Sequence, residues 1–291
     1  MSESVIINGE VAVNGAVSID DRGYTLGDGL FETIPIYGGR PFMLDRHFGR
    51  MTGAAQKIGL ELPLDEGRAR AAIALLVERN SIETGVARLT VSRGEGGPRG
   101  YGIEGFDTPT WTLTCRPYTC LLANERDISF TLSPVSILID PKSPLRGLKT
   151  ISCMESILML AQAKRLKADE ALVFTREGHI ASGAAVNIFW VKDGKLFTPS
   201  LSCGILAGVT RGIILELASQ NAIESEEGMY GPETLKQADE VFVTNSLLMV
   251  VPVTTVIGLF NKPAPPGPLG PPGLGPVTEK LYSLYTGLIK A

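Results

Sequence analysis

The stretch from Leu145 to Leu172 constrains the chain most. It opens Leu-Arg-Gly-Leu-Lys-Thr-Ile-Ser-Cys-Met-Glu-Ser, continues in a helical pattern and ends in Ala-Asp-Glu-Ala-Leu. Met154, Ile157, Leu158 and Ala161 recur at helical spacing, so that helix carries one apolar face. Lys149 stands just ahead of it, where a side chain can reach into a cleft while the helix holds its backbone still. Taken alone, such a lysine reads as a solvated surface charge. Its neighbourhood changes that reading.

The chain has 291 residues, 44% of them hydrophobic and 20% charged, enough for two domains with real cores. A formal net charge of −4 leaves no basic footprint for nucleic acid. No run of 18 apolar residues exists, so no membrane span is expected. The opening Met-Ser-Glu-Ser-Val-Ile-Ile shows no secretory signal. Four cysteines without CxxC spacing read as reduced thiols of a cytoplasmic protein. His47 and His179 are the two histidines, which argues against a histidine-rich metal site, and no metal is expected.

In order, Val5–Val13 reads as a hairpin turning at Asn8-Gly9, and Asp20–Gly29 as a glycine-broken loop. Leu30–Tyr37 alternates as a strand, with Phe31 and Thr33 on one face and Glu32 and Ile34 on the other. Helices are expected at Arg46–Ile58 and Ala69–Val77, then strands at Val86–Ser92 and Thr110–Arg116. Domain one is placed at residues 1–118, a linker at 119–127 and domain two at 128–291. In the second, strands are expected at Ile128–Leu138, Glu170–Thr175 and Val241–Thr244, with a hairpin across Asp193-Gly194. A helix is expected over about Arg211–Ser219 and another from near Pro276. Residues 263–276, with seven prolines and four glycines, read as an extended polyproline-like loop.

Several features could carry chemistry. Lys149 is a possible Schiff-base former. Gly204-Ile-Leu-Ala-Gly-Val-Thr-Arg is a glycine-punctuated turn opening a helix, where N–H groups of Val209 and Thr210 could bind an anion, or simply an ordinary capped helix. Thr244-Asn-Ser246 ends a strand, where short polar groups commonly meet ligands in open sheets; a plain polar loop is the alternative. Arg50 could supply charge to a phosphate or be a surface arginine.

With these segments in hand, the chain resembles the class IV aminotransferase family, the fold type IV pyridoxal 5′-phosphate (PLP) enzymes. The resemblance runs from Asn8-Gly9 to Gly275-Pro-Val-Thr278. It rests on Lys149-Thr, Ala168-Asp-Glu-Ala-Leu, Asn187-Ile-Phe, Asp193-Gly, Gly204–Arg211 and Ala238-Asp-Glu-Val-Phe-Val in order. It implies that Lys149 forms the internal Schiff base and moves protons. It implies that Arg50, Val209 and Thr210 bind the phosphate, with Asn245 and Ser246 on the other side. Asn187 falls in the cofactor loop, and Phe31 and Thr33 match strand positions facing the substrate. It further implies two α/β domains with the cofactor between them, a homodimer and a small-molecule amino substrate.

Within the family the details lean toward 4-amino-4-deoxychorismate lyase. Arg22–Thr33, Ser92-Arg-Gly-Glu-Gly-Gly-Pro-Arg-Gly-Tyr, Glu155 and Asn245–Pro252 resemble that enzyme. No histidine lies between His47 and His179, although D-amino-acid aminotransferases usually carry Arg-x-His there. Met154 replaces the tyrosine of the branched-chain subfamily. Ser182 stands where the family's Glu-Gly-x-x-x-Asn has its glutamate. That carboxylate keeps the pyridine nitrogen protonated, and a neutral serine should weaken the electron sink and favour elimination. The expectation is a lyase releasing pyruvate to give 4-aminobenzoate, with Arg93, Arg99 or Arg146 as carboxylate clamps. The alternatives are an aminotransferase for D-amino acids or other amines, and a weakly active or non-catalytic member of the fold.

Overall fold

The structure, a computed structural model, describes residues 3–97, 100–118, 128–261 and 275–290. The expected linker 119–127, Arg99 and residues 263–274 of the proline-rich stretch lie outside them. The chain divides into two compact units, Met1–Cys120 with Leu148–Cys153, and Leu121–Gly147 with Met154–Ala291.

The first unit contains β1 (Ser4–Ile7), β2 (Glu10–Val13), α1 (Arg22–Leu26), β3 (Gly29–Tyr37), β4 (Arg40–Pro41), α2 (Leu44–Lys57), α3 (Glu66–Arg79), β5 (Gly85–Ser92) and β6 (Thr110–Pro117). Its sheet is antiparallel, in the order β2-β1-β6-β5-β3-β4. The β1–β2 hairpin turns at Asn8 and Gly9, both at positive φ, as Asn-Gly turns require. Alternation decides which side of β3 is inside. Leu30, Glu32, Ile34 and Ile36 are buried, while Phe31 and Thr33 are half-buried. Across the sheet Ala87, Leu89, Val91, Trp111 and Leu113 extend the same core. Leu44, His47, Met51, Ala54 and Ala55 form the buried stripe of α2.

The expected loop over 20–29 instead contains α1. Asp21 caps its first turn by accepting from the Gly23 N–H at 2.7 Å, and Gly27 ends it in the left-handed conformation (φ 69°).

The second unit contains β7 (Phe130–Pro134), α4 (Met154–Arg165), β8 (Glu170–Phe174), β9 (Ile180–Ser182), β10 (Asn187–Lys192), β11 (Lys195–Pro199), α5 (Val209–Gln220), β12 (Ser225–Gly228), α6 (Glu233–Gln237), β13 (Glu240–Asn245), β14 (Met249–Val256), β15 (Phe260–Asn261) and α7 (Pro276–Lys290). The sheet runs β12-β11-β10-β13-β14-β7-β8-β9, with β15 on β14. It is mixed: β11–β12, β14–β7 and β7–β8 are parallel pairs. The strand expected over 128–138 is shorter, ending at Pro134. Runs such as Asn187–Val191 and Glu240–Thr244 are buried throughout, the signature of strands covered on both faces.

The apolar spacing of α4 does not point into this core. Met154, Ile157 and Leu158 are 65%, 57% and 50% exposed, and Met159 and Ala163 are the buried positions. Among the described residues no helix is long and apolar enough to cross a membrane.

Candidate active site

Lys149 is placed by backbone before its side chain matters. The Phe31 N–H donates to the Lys149 carbonyl at 3.0 Å, and the Ile151 N–H donates to the Gly29 carbonyl at 3.0 Å. Segment 148–153 thus runs along the start of β3, and Leu30 and Thr150 form a bridge pair. Gly29 is hemmed in on both sides: a Cβ there would fall 2.4 Å from the Val91 carbonyl oxygen of β5 and 3.0 Å from Ile151 Cδ1 of this segment.

Two cations lie on the Phe31 ring. Lys149 Nζ is 4.3 Å and Arg88 Cζ 3.9 Å from its centroid. Arg88 pairs with Thr33, and Thr90 with Phe31, so these four side chains share the half-open face of the sheet. Arg88 forms no ion pair with a carboxylate among the described residues.

Burial is the largest influence on the Lys149 amine and lowers its pKa. Arg50 and Arg88 push the same way, while Glu32 and Cys153 oppose them; the net shift is below the ordinary lysine value. A lowered pKa leaves more of the amine neutral and nucleophilic. Arg50 is tied to Glu32, whose Oε1 accepts from Arg50 Nε at 2.8 Å and whose Oε2 accepts from Nη2 at 2.7 Å. His47 Nδ1 lies 2.7 Å from the same Oε2.

The other expected residues sit in the second unit. Helix α5 starts at Val209, earlier than expected, so Val209 and Thr210 occupy its first turn. Gly208 is its N-cap and offers no side-chain hydrogen bond, which leaves first-turn N–H groups for an acceptor. A Cβ on Gly208 would fall 2.1 Å from Asn187 Oδ1. Asn187 in turn donates from Nδ2 to the Leu206 carbonyl at 3.0 Å. Asn245 donates to the Ala185 carbonyl at 3.2 Å and accepts from the N–H groups of Leu247 and Leu248, with Ser246 half-buried in that turn. Thr244 Oγ1 is buried without a partner among the described residues. The turn between β9 and β10, the start of α5 and the end of β13 therefore meet in one polar cradle.

Ser182 ends β9, and its hydroxyl donates to the Gly183 carbonyl at 2.8 Å. Glu170 braces that turn by accepting from the N–H groups of Ala171 and Ala184 at 2.7 and 2.9 Å. Burial pushes the Glu170 carboxyl up, against those hydrogen bonds.

The expected clamps fare differently. Arg93 is 4% exposed and spends its donors inside the first unit. Nε and Nη2 bind Asp28 at 2.8 and 3.2 Å, Nη1 binds the Gly59 carbonyl at 2.7 Å, and Nη2 binds the Ile58 carbonyl at 3.0 Å. It closes the C-terminal end of α2, with these donors engaged inside the first unit. Arg146 pairs with Glu155 at 2.7 Å, leaving its buried Nε without a partner among the described residues. Arg99 lies outside the described residues.

Comparison with known proteins adds the decisive observation. The family model for amino-transferase class IV matches residues 29–256. The chain belongs to the class IV aminotransferase family. It is 32% identical over 268 residues to a D-alanine aminotransferase of Bacillus licheniformis, covering 91% of this chain and 92% of that protein. It is 30% identical over 240 residues to an aminodeoxychorismate lyase of Bacillus subtilis, covering 81% and 80%. A branched-chain amino acid aminotransferase of Escherichia coli superposes with a TM-score of 0.86 at 25% identity, covering 99% and 95%. The family consists of PLP-dependent enzymes, and this chain is a transaminase or lyase of that class. Each unit by itself carries groups of the kind such a cofactor needs: a desolvated lysine and an arginine in the first, and uncapped N–H groups at α5 with the Thr244 hydroxyl, unpartnered among the described residues, in the second.

Sequence reasoning missed Arg88 and Glu32. The alternation of β3 placed Glu32 opposite Phe31 and so on the inner face. Nothing in the sequence marked Arg88.

Proposed function

We propose that this enzyme is a PLP-dependent lyase acting on a carboxylate-bearing amino substrate, in the manner of aminodeoxychorismate lyase. One substrate molecule would give 4-aminobenzoate and pyruvate, with no second substrate consumed. The observation that carries this reading is Ser182. A neutral hydroxyl, already donating to Gly183, stands where the family pattern places a carboxylate. Bound PLP supplies an electron-accepting ring to the substrate amine, and without a carboxylate partner that sink is weaker. Elimination that ends in an aromatic ring tolerates the loss better than transfer.

Each residue then has a task. Lys149 Nζ holds the cofactor, takes the proton from the substrate carbon and returns it. Arg50 and the first turn of α5, with Val209 and Thr210, hold the phosphate; Asn245 and Ser246 close its other side. Asn187 positions Gly208 rather than acting directly. Phe31 and Thr33 flank the substrate, and Arg88 replaces Arg93 as the carboxylate-binding cation.

The second reading, a D-amino-acid aminotransferase, is favoured by the 32% identity to the D-alanine enzyme. The enzyme is further read as a cytoplasmic homodimer. The thiols of Cys115, Cys153 and Cys203 are unpaired, which suits a reducing compartment, and α4 exposes apolar side chains a second copy could cover. Light scattering in solution tests the dimer.

Incubation with 4-amino-4-deoxychorismate and no keto acid decides the reaction. Stoichiometric 4-aminobenzoate and pyruvate support the lyase. No product there, with turnover of D-alanine only when 2-oxoglutarate is added, assigns the transferase instead.

A further inference from the structure

We propose that Tyr285 of α7 is a positioning residue for the start of α5: its buried hydroxyl donates to Thr210 Oγ1, aims the Thr210 proton at a bound phosphate, and so couples docking of the C-terminal helix to anion binding. This rests on the reading of Thr210 as a phosphate ligand.

The observation is a hydroxyl where packing alone asks for a plain ring. The buried row of α7 is Thr278, Leu281 and Tyr285 at helical spacing, and Tyr285 is 1% exposed. A phenylalanine would fill that volume without the cost of taking a phenol out of water. The tyrosine hydroxyl lies 3.4 Å from Thr210 Oγ1, in the first turn of α5, and both groups are buried. The two helices run antiparallel, because Lys280, earlier in α7, donates to the carbonyl of Asn221 at the far end of α5 at 3.3 Å. Glu240 of β13 holds the start of α7 by accepting from the Val277 and Thr278 N–H groups. Helix α7 is thus anchored at its start and carries Tyr285 to the uncapped end of α5.

Proton bookkeeping fixes the direction of the contact. A threonine hydroxyl has one proton to give and lone pairs that accept. A phosphate dianion accepts only, so Thr210 must spend its proton on the anion. Its oxygen is then an acceptor, and Tyr285 is the donor. Hydroxyls in series toward an anion polarise one another, so the second strengthens the first. The coupling is reciprocal: an anion that orders Thr210 also tightens the grip on α7.

The test uses Tyr285→Phe, Thr210→Val and the double variant in the full chain, freed of cofactor. Affinity is measured for pyridoxal 5′-phosphate and for pyridoxal, which lacks the phosphate. Hydrogen exchange over residues 276–290 is followed with each ligand. Tyr285→Phe should weaken the phosphorylated ligand about fivefold and leave pyridoxal within about twofold. Thr210→Val should weaken it at least as much, and adding Tyr285→Phe to Thr210→Val should change nothing further. In wild type the phosphorylated ligand should slow exchange of α7 more than pyridoxal does, and in Tyr285→Phe that difference should vanish. A merely structural tyrosine would weaken both ligands alike, or weaken the phosphorylated one equally with and without Thr210; either result overturns the proposal, as does an unchanged affinity in Tyr285→Phe. If Thr210→Val itself leaves the phosphorylated ligand unaffected, the reading of Thr210 as a phosphate ligand fails and the proposal falls with it.

Discussion

Replacing Arg93 by methionine should cost stability and leave catalysis alone. The side chain keeps its aliphatic stem but loses four hydrogen bonds. Two go to Asp28, and two go to the carbonyls of Ile58 and Gly59 at the end of α2. Removing one partner of a buried ion pair costs about 3–5 kcal/mol. Asp28 keeps Arg22, whose Nε donates to it at 2.9 Å, so the lower end, about 3 kcal/mol, is expected. At roughly 2–4 °C per kcal/mol for a chain of this size, the melting temperature should fall by about 6–12 °C. The deficit should depend on pH. Burial would raise the Asp28 carboxyl, but hydrogen bonds from Arg93 and Arg22 outweigh it and hold its pKa below the ordinary value. Its stabilisation is complete above the unfolded carboxylate pKa and is lost as pH falls through the lowered folded one. Wild type therefore loses in acid an advantage that the variant, with Arg22 alone on Asp28, has only in part, and the gap narrows. Thermal melts across pH, with KM for the amino substrate at neutral pH, check both statements. A melting temperature within about 2 °C of wild type, with KM raised several-fold, would refute the reasoning and return Arg93 to the substrate.

Arg88→Leu should raise KM for carboxylate-bearing amino substrates about tenfold or more while changing kcat little, measured against the corresponding amine without a carboxylate; its exposed position predicts a stability change within about 0.5 kcal/mol. Ser182→Glu should raise D-alanine:2-oxoglutarate transamination, since it restores a carboxylate to the family position; an unchanged rate would count against the electron-sink account. Glu240→Gln should loosen α7, because Glu240 accepts from the N–H groups of Val277 and Thr278 at 3.1 and 2.8 Å. The cost should be about 1 kcal/mol, read as faster hydrogen exchange over residues 276–290.

Where local chemistry decides an element, the chain could be read directly. Asn8-Gly9 and Asp193-Gly194 turn their hairpins because those residues accept positive φ. The alternation of Leu30–Tyr37 separated Phe31 and Thr33 from Glu32 and Ile34 correctly, because a pleat has period two. The misses are equally specific. Helix α1 has five residues, too few to show a period, and its glycine C-cap reads the same as a loop glycine. The spacing of Met154, Ile157 and Leu158 shows that they share a face but not what covers it. Arg93 sits in a glycine-rich stretch typical of exposed loops. The carbonyls it satisfies belong to residues 34 and 35 positions earlier, a pairing no local pattern encodes. Arg88 lies at one position of an alternating strand, and alternation cannot tell a solvated charge from one resting on Phe31.

Membership of the class IV family does not choose between transfer and elimination, since relatives named for either reaction match this chain over most of its length. The choice must come from what surrounds the substrate. In this chain the distinctive groups are Ser182, without a carboxylate, and Arg88, on the face that carries Phe31 and Thr33. In the proposed reading Ser182 bears on how well the ring accepts charge, and Arg88 on where a substrate carboxylate docks. If both assignments hold, they are separable. Ser182→Glu should change the rate of transfer without changing which carboxylates bind, and Arg88→Leu should do the reverse. A double variant should therefore show the two effects added, because side chains that act on different parts of the substrate couple weakly. Strong non-additivity would mean that one of them acts through the other, and the division of roles between the strand face and the β9 turn would have to be abandoned.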